Sequence, residues 1–411
     1  MKTRFLSIVF SFLLILSVLY GCTEQKKDND TISIEYDVNT LTSRFGFMHP
    51  DDFQDMTDLG IFWQRPHPGP FIWNEIETSQ GVFNWDRCDK EVRNSQKYGV
   101  NIIATIWPFA EWDQSSCHSK ITSSGGLIFD ELGAYRQKPC DIALYKNFIS
   151  KLVERYDGDG IDDMADLIVP IKYWEVSNEP SMQSDWLVFF IGPAQDYFDI
   201  LNATYQGVKN ADSNAMVVKG GMAGVMEDNT EFWDEVFDLG GDSYFDIGNI
   251  HSINSDSLAI NGPEYKQFLK KHDIDKPFWI TEVELGPLGK DISAEEEMAD
   301  KMVTSFVIAF ASGAEKIFHP GIMMKSGKED TYYALKTIVD KIDYFSSVEK
   351  LSEGQYKFSI DTNVVYVLWG EGNITDEITG QIKTTDVSGI ESIIYSDELI
   401  LSSSPIFVEK I

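Results

Sequence analysis

The sequence Tyr173–Pro180, YWEVSNEP, contains a short apolar run that ends abruptly in polar residues. Tyr173–Val176 has the aromatic and β-branched composition of a buried strand. Asn178 and Glu179 then place an amide beside a carboxylate, and Pro180 ends the segment and restricts the turn. A buried strand that stops on such a pair predicts that its carboxyl end faces a ligand.

Short strand-like runs alternate with longer segments of helical period from about Arg44 onward. The strand candidates in chain order are Phe45–Met48, Leu59–Trp63, Asn101–Ile106, Ile171–Val176, Met216–Lys219, Asp246–Ile250, Phe278–Thr281 and Lys316–Phe318. Eight strand–helix units in about 300 residues predict the (β/α)8 TIM barrel of the α/β class. The alternative is a doubly wound sheet, which a Gly-rich dinucleotide loop after the first strand would favour. The chain has no such loop there, and KGGMAG at Lys219–Gly224 lacks that spacing.

The pattern changes after Phe345 to short alternating runs separated by turns. We expect a small C-terminal antiparallel β domain there, and Ile32–Val38, ISIEYDV, is a candidate strand to complete it. The predicted parts of the chain are a lipoprotein signal peptide at 1–21, a tether and N-terminal strand at 22–40, the barrel at 41–345 and a small β-sandwich-like domain at 346–411.

The N-terminus has the features of an export signal. Lys2 and Arg4 precede an uncharged apolar run, Phe5–Tyr20, which is shorter than the ~20 residues that a membrane-spanning helix needs. Leu19–Cys22, LYGC, resembles the lipobox of bacterial lipoproteins. That resemblance implies cleavage before Cys22, lipidation of this cysteine and anchoring of the exported protein at a membrane or the cell surface; the alternative is ordinary secretion.

Three further cysteines are available to an exported chain, where a disulfide is chemically permitted. Cys117 and Cys140 flank one loop-like stretch and form the plausible pair, whereas Cys88 falls in a helical pattern that favours a buried thiol. The cysteine spacing matches no zinc site.

The formal net charge is −32, with acidic residues spread along the chain. A field of this sign repels nucleic acid and anionic lipid headgroups, so it argues against a nucleic-acid-binding protein. It is compatible with a neutral substrate.

A second carboxylate, Glu282, ends the seventh strand candidate in KPFWITEVELG. In a barrel of this kind the chemistry lies where strands end, so Glu179 after strand four and Glu282 after strand seven would share one mouth. Cleavage of a glycosidic bond needs such a pair, with one carboxyl protonated to release the leaving oxygen and the other ionised. Glu284 has the same strand parity and is the alternative to Glu282. Glu175 would lie deep in the mouth or pack against an Arg or Lys.

YWEVSNEP and FWITE resemble the two signature segments of the retaining glycoside hydrolases of clan A, near families 39, 42 and 5. The resemblance covers most of residues 40–411. It implies that Glu179 is the acid/base, that Glu282 is the nucleophile and that Asn178 binds the sugar 2-hydroxyl. The sequence from Leu59 to Asp89 also resembles the clan's second-strand region, which implies that Arg65 pairs with the nucleophile and keeps it ionised.

The chain departs from the clan pattern at two strand ends. The sixth strand ends in NIHSINS, without the Tyr that commonly touches the nucleophile, and the eighth is KIFHPGIM, without a Trp. These departures leave the sugar and the family open. A carbohydrate-binding lipoprotein on a catalytically inactive barrel, and transglycosylation instead of hydrolysis, are the competing functions.

Sugar sites need flat aromatic walls beside hydrogen-bonding groups. Trp107 and Trp112, in TIWPFAEWDQ after strand three, are the candidate platforms. His49 and His251 fall at strand ends and would at most orient substrate. No histidine spacing indicates a catalytic metal, and no cofactor is expected.

The acidic loop Tyr156–Met164, YDGDGIDDM, resembles calcium-binding loops in which Asp alternates with Gly. Oxygens of Asp157, Asp159 and Asp162 or Asp163 could surround a structural calcium ion. A solvated turn before strand four is the alternative.

Overall fold

The structure is a computed structural model that describes residues 36–50, 52–121, 130–183, 188–252, 261–283, 295–320 and 329–411. From Tyr36 onward these residues form one compact unit. Within these ranges, no helix is both long enough and apolar enough to cross a membrane. The expected signal peptide, its lipobox and Cys22 lie outside the described residues, as does Glu284.

Eight parallel strands form the barrel. In chain order, and numbered one to eight below, they are Phe45–Met48, Trp63–Arg65, Asn101–Ile106, Tyr173–Val176, Met216–Lys219, Gly248–Ser252, Phe278–Val283 and Ala314–Pro320. The sheet runs through strands 5-4-3-2-1-8-7-6. Parallel bridges Val218–Ile247 and Met222–Ile250 close it between strands five and six. The predicted (β/α)8 TIM barrel is therefore confirmed.

Strand two begins at Trp63, the residue at which the sequence pattern predicted its end. Leu59 instead caps the helix Phe53–Asp58 in the αR conformation, and Gly60 turns the chain with a φ of 79°. Such a positive φ is available to glycine at little cost. As a result Arg65, at the end of this strand, lies at the barrel mouth.

Helices surround the barrel. The principal ones are Phe53–Asp58, Asp86–Gln96, Ile142–Glu154, Ala194–Ala211, Glu227–Asp238, Gly262–Lys271, Glu295–Ala311 and Glu329–Ile342. Shorter elements in the loops after strands two and three are the helices Trp73–Ile76 and Glu111–Gln114 and the hairpin Glu77–Ser79 with Val82–Phe83. A disulfide joins Cys117 to Cys140, and Cys88 is a buried thiol, as predicted.

A layer of large apolar side chains fills the lower half of the barrel. It consists of Trp63, Ile103, Val218, Ile247, Trp279 and Phe318. The 3₁₀ helix Val38–Thr42 covers this end, where the indole N–H of Trp63 donates to the carbonyl of Thr40 at 3.0 Å. The prediction that Ile32–Val38 is a strand of the β domain is wrong at its described end, because Val38 starts this helix.

The C-terminal domain is a single six-stranded antiparallel sheet. Its strands are Ser347–Ser352, Gln355–Ile360, Asn363–Leu368, Gln381–Asp386, Glu391–Tyr395 and Ile406–Lys410. The antiparallel β domain is confirmed, but its strands form one continuous sheet and not two facing ones. Phe358 and Val367 belong to the main core, while Ile378 and other loop residues cover the opposite face around Leu368.

Gly46 in strand one provides a test of barrel closure. It pairs in register with Phe318 of strand eight, and a Cβ at Gly46 would overlap the buried Phe318 ring. We expect Gly46→Ala to lower the free energy of unfolding by about 1–3 kcal/mol, the cost of overpacking a filled core. Gly262→Ala is the control, because its added carbon comes no closer than 3.4 Å to a neighbour. Urea unfolding of both variants checks this, and equal effects would contradict it.

Candidate active site

Two carboxylates from distant parts of the chain meet at the mouth of the barrel. Glu179 follows strand four, and Glu282 lies near the end of strand seven. One oxygen of each and a ring nitrogen of His251 all lie within 4.8 Å of one another. The Glu179 side chain is 2% exposed and that of Glu282 is 13% exposed, so Glu282 keeps more contact with the opening.

Arg65 connects the groups at the ends of strands two, four and seven. Its Nη1 lies 3.1 Å from Oε2 of Glu282, and its Nη2 donates to Oδ1 of Asn178 at 2.6 Å. Its Nε donates to Oε2 of Glu175 at 2.8 Å. Burial lowers the pKa of Arg65, but Glu175 and Glu282 raise it above the ordinary arginine value. A planar guanidinium can serve three acceptors in this way because its donors have fixed directions.

Glu175 lies below the two mouth carboxylates and is completely buried. Besides Arg65, its donors are the hydroxyl of Thr105, the Nδ2 of Asn249 at 2.6 Å and the hydroxyl of Thr281 at 2.9 Å. Its expected position, deep in the mouth against an arginine, is confirmed. Four donors from strands two, three, six and seven satisfy its oxygens, as a buried carboxylate requires.

His251 lies between the carboxylates and the strand-seven wall. Its Nδ1 is 2.8 Å from Oε1 of Glu179 and 3.6 Å from Oε2 of Glu282, and its Nε2 is 3.0 Å from the Thr281 hydroxyl. Gly221 makes this position available, because a Cβ there would overlap the imidazole ring. Burial lowers the pKa of His251 well below its ordinary value, and the charges of Arg65 and Lys219 lower it further.

The backbone at the end of strand four has an unusual conformation. Ser177 has a φ of 65° and Glu179 a φ of 40°, both in the left-handed region that non-glycine residues rarely adopt. Gly220, at the end of the adjacent strand, approaches this segment so closely that a Cβ there would lie 2.6 Å from the Val176 carbonyl oxygen. Strain of this kind is retained where the surrounding structure holds functional groups in place.

The mouth also differs from expectation at one of the two tryptophans. Trp107 is completely buried, with its indole N–H donating to the Pro68 carbonyl at 2.6 Å. Trp112 is half-buried and donates to the Glu77 carbonyl at 2.7 Å while its ring packs edge-on against Trp73. The prediction of an open sugar platform is wrong for Trp107, because its ring is completely buried. For the half-buried Trp112 it remains a prediction.

His49 lies at the mouth, as predicted from its place after strand one. Its backbone N–H donates to the Arg65 carbonyl at 3.3 Å, and its ring contacts the buried ring of His67 edge-on. Both histidines line a cavity of about 570 Å³, together with Gln64, Arg87 and Glu91, and neither mouth carboxylate lines it. A substrate-orienting role for His49 remains a prediction.

The acidic loop before strand four brings three carboxylates together. They belong to Asp157, Asp159 and Asp163, whose oxygens lie within 4.8 Å of one another. Asp163, and not Asp162, completes the group: Asp162 turns the chain with a φ of 49°, and two backbone N–H groups of the loop donate to Asp163 at 3.0 and 2.7 Å. Calcium binding by this loop remains a prediction.

Three residues that touch Glu175 were not predicted from the sequence: Thr105, Asn249 and Thr281. Strand periodicity could have identified two of them. Asn249 lies two residues before His251, and Thr281 two residues after the inward-facing Trp279, so each shares its neighbour's face of the strand.

No protein-family model matches the chain, and no curated protein matches it. Solved structures share its fold. A glucosidase from Croceicoccus marinus aligns with a TM-score of 0.60 at 11% identity, over 89% of this chain and 95% of that one. A GH39 β-xylosidase from Caulobacter crescentus aligns with a TM-score of 0.59 at 12% identity, over 90% of this chain and 96% of that one. The catalytic domain of GH30 xylanase C from Talaromyces cellulolyticus aligns with a TM-score of 0.54 at 13% identity, over 90% of this chain and 98% of that one.

At this level of identity the likeness establishes the fold. The chain shares its overall fold with these glycoside hydrolases, so the resemblance to clan A that rested on two short motifs is confirmed for the fold. What the chain does must be argued from its own site.

Removal of the Arg65 side chain should destabilise the protein in a pH-dependent way. Burial raises the pKa of Glu282, and the charge of Arg65 opposes that rise. Arg65→Ala should therefore raise the pKa of Glu282 further. A carboxyl whose pKa is raised by folding contributes stability at low pH that is lost as the pH rises through the raised value. We therefore expect a loss of about 3–5 kcal/mol at neutral pH and a smaller loss in acid.

Chemical denaturation at both pH values measures this. Arg93→Ala is the matched control, since Arg93 is half-exposed and reaches Asp89 only at 3.6 Å; it should change stability by less than ~0.5 kcal/mol. A loss for Arg65→Ala that is the same at both pH values would show that the charge balance is not the cause.

Proposed function

We propose that the chain is a retaining glycoside hydrolase that cleaves β-linked oligo- or polysaccharides by double displacement. The observation that carries this proposal is the separation of the two mouth carboxylates, whose nearest oxygens are within 4.8 Å. Retaining glycosidases place the pair ~5–5.5 Å apart, whereas inverting enzymes need ~6.5–9.5 Å to hold a water between them. The spacing between Glu179 and Glu282 therefore favours direct attack by one carboxylate.

The roles follow from the surroundings of each carboxylate. We assign the attack on the anomeric carbon to Glu282, which is the more exposed of the two. Burial raises the pKa of Glu282, and the charge and hydrogen bond of Arg65 oppose that rise and so favour the ionised nucleophile. Glu179 donates its proton to the departing glycosidic oxygen and then takes a proton from the water that releases the sugar. Asn178 accepts from Arg65 through Oδ1, which turns its NH2 toward other acceptors; we assign it to the sugar 2-hydroxyl.

The substrate class rests on chemistry and on the structural relatives. A formal charge of −32 favours a neutral glycan over an anionic one. The structural relatives named above are a glucosidase, a β-xylosidase and a xylanase, so β-glucosides and β-xylosides are the first substrates to test.

The stereochemistry of the first product tests the reaction. The substrates are an aryl β-glucoside, an aryl β-xyloside and plant or algal polysaccharides. We expect their hydrolysis to release the β-anomer first, and ¹H NMR spectra recorded before mutarotation would detect it. Release of the α-anomer first would exclude retention. Products longer than the substrate would indicate transglycosylation through the same intermediate.

Azide rescue of two variants tests the individual roles. Glu282→Gly with azide should form an α-glycosyl azide, because azide then attacks the substrate from the vacated face. Glu179→Gly should lose about 10²–10⁴-fold in rate on substrates with poor leaving groups, and azide should give the β-glycosyl azide from an activated aryl glycoside. Glu264→Gln, on an exposed helix face, is the control and should behave as wild type. Exchanged azide configurations would contradict the assignment.

The competing function is a carbohydrate-binding surface protein on an inactive barrel. It predicts binding of glycans by the wild type without turnover across the whole panel. The network around both carboxylates favours the enzyme, since a purely binding barrel has no need for two acids at this separation.

We further propose that the chain is exported and anchored through lipidated Cys22. The disulfide between Cys117 and Cys140 supports an oxidising compartment. In a bacterial host fed a clickable palmitate analogue, the wild type should be labelled and sediment with membranes, and Cys22→Ser should lose both properties. An unlabelled wild type would reduce the proposal to secretion.

A further inference from the structure

The hydroxyl of Thr281 lies among three possible partners. Oε1 of Glu175 and Oδ1 of Asn249 are each 2.9 Å away, and Nε2 of His251 is 3.0 Å away. All four residues are buried. A threonine hydroxyl has one hydrogen to donate, so it cannot serve three acceptors.

Two of the three partners are fixed as acceptors. Asn249 directs its NH2 to Glu175 at 2.6 Å and to the Lys219 carbonyl at 3.2 Å, so the atom it presents to Thr281 is its oxygen. Glu175 is the carboxylate paired with Arg65 and can only accept. These two oxygens already compete for the hydrogen of Thr281. The remaining partner, Nε2 of His251, must therefore donate to the Thr281 oxygen.

A hydrogen on Nε2 determines what the other ring nitrogen does. In the neutral ring Nδ1 then carries a lone pair, and it faces Oε1 of Glu179 at 2.8 Å. An ionised Glu179 would place a second lone pair against it. A hydrogen bond forms across this distance only if Glu179 is protonated and donates its O–H to Nδ1.

The charges around the ring oppose the alternative, a doubly protonated His251. Complete burial and the charge of Arg65 from strand two disfavour an imidazolium. Lys219 from strand five adds to this only while it is charged, because burial lowers its own pKa well below the ordinary value. The opposing groups are Glu175 and Glu179 from strand four and Glu282 from strand seven, and Glu175 and Glu282 are both paired with Arg65. The second buried imidazole nearby, His67, contributes no favourable charge, because burial holds its pKa well below the ordinary value.

We propose that Glu175, Asn249 and Thr281 select the Nε2–H tautomer of His251, and that His251 thereby holds Glu179 as the protonated acid. The proposal rests on the proposed function in one respect: a glycosidase needs its acid protonated before the glycosidic bond breaks. Thr281 and His251 act here as positioning residues, through Glu179.

The tautomer can be measured without any substrate. Long-range ¹H–¹⁵N correlation spectra of protein labelled with ¹⁵N-histidine report which ring nitrogen carries hydrogen, and a His251→Gln spectrum assigns the signal. At neutral pH we expect hydrogen on Nε2 and none on Nδ1. Hydrogen on Nδ1, or on both nitrogens, would overturn the proposal. Because this readout needs no turnover, its failure is distinguishable from failure of the glycosidase assignment.

The pH profile of kcat/KM tests the consequence for the acid. Thr281→Val removes the hydroxyl that selects the tautomer, so His251 can present Nδ1–H to an ionised Glu179. The acid then loses its proton more easily, and the alkaline limb should move to lower pH by about one unit, the size of one exchanged hydrogen bond. Thr105→Val is the control, because Thr105 donates to the other oxygen of Glu175.

Thr105→Val should leave the alkaline limb in place even where it lowers the rate. Equal shifts in the two variants would show that loss of any donor to Glu175 produces the effect, which would overturn the role of Thr281. An unmoved limb in Thr281→Val would overturn it as well.

Discussion

The buried guanidinium of Arg65 balances the negative charge at the barrel mouth. Glu175, Asn178 and Glu282 come from two other strands, and each accepts from a different nitrogen of the same planar group. The N–H groups of a guanidinium point in fixed directions. Arg65 therefore determines the relative positions of the ends of strands two, four and seven. Without it, Glu175 and Glu282 would lose the cation that is hydrogen-bonded to both of them in a low-dielectric interior. The same contact therefore holds the site and part of the barrel together.

The residues whose positions were predicted correctly from sequence are those that lie at strand ends. Glu179, Glu282 and Arg65 each end or follow a barrel strand, and parallel strands in a closed barrel bring all such ends to one face. The composition of the strands made them recognisable, although the strand with Arg65 was placed several residues early because Gly60 turns the chain there. Glu175 could be placed beside a cation because a buried carboxylate needs one.

The remaining parts of the site depend on loops and on exact contacts, which a residue pattern does not determine. Trp107 follows a strand end, but the loop conformation buries its ring completely. In the acidic loop the backbone turn at Asp162 decides that Asp163 joins the cluster. Thr281 is a residue type that is common in strands, so nothing in the sequence singles it out. Only the distances from its hydroxyl to three partners show what its single hydrogen does.

The most direct test of the account asks where the sugar becomes attached. An activated 2-deoxy-2-fluoro-β-glycoside slows release of the glycosyl–enzyme intermediate more than its formation, so a retaining enzyme accumulates the covalent species. Intact-mass measurement and peptide mapping after incubation should find one glycosyl group, on the carboxylate of Glu282. Attachment to Glu284 or to any other residue, or turnover of β-glycosides with no covalent species at all, would contradict the proposed roles of the two mouth carboxylates.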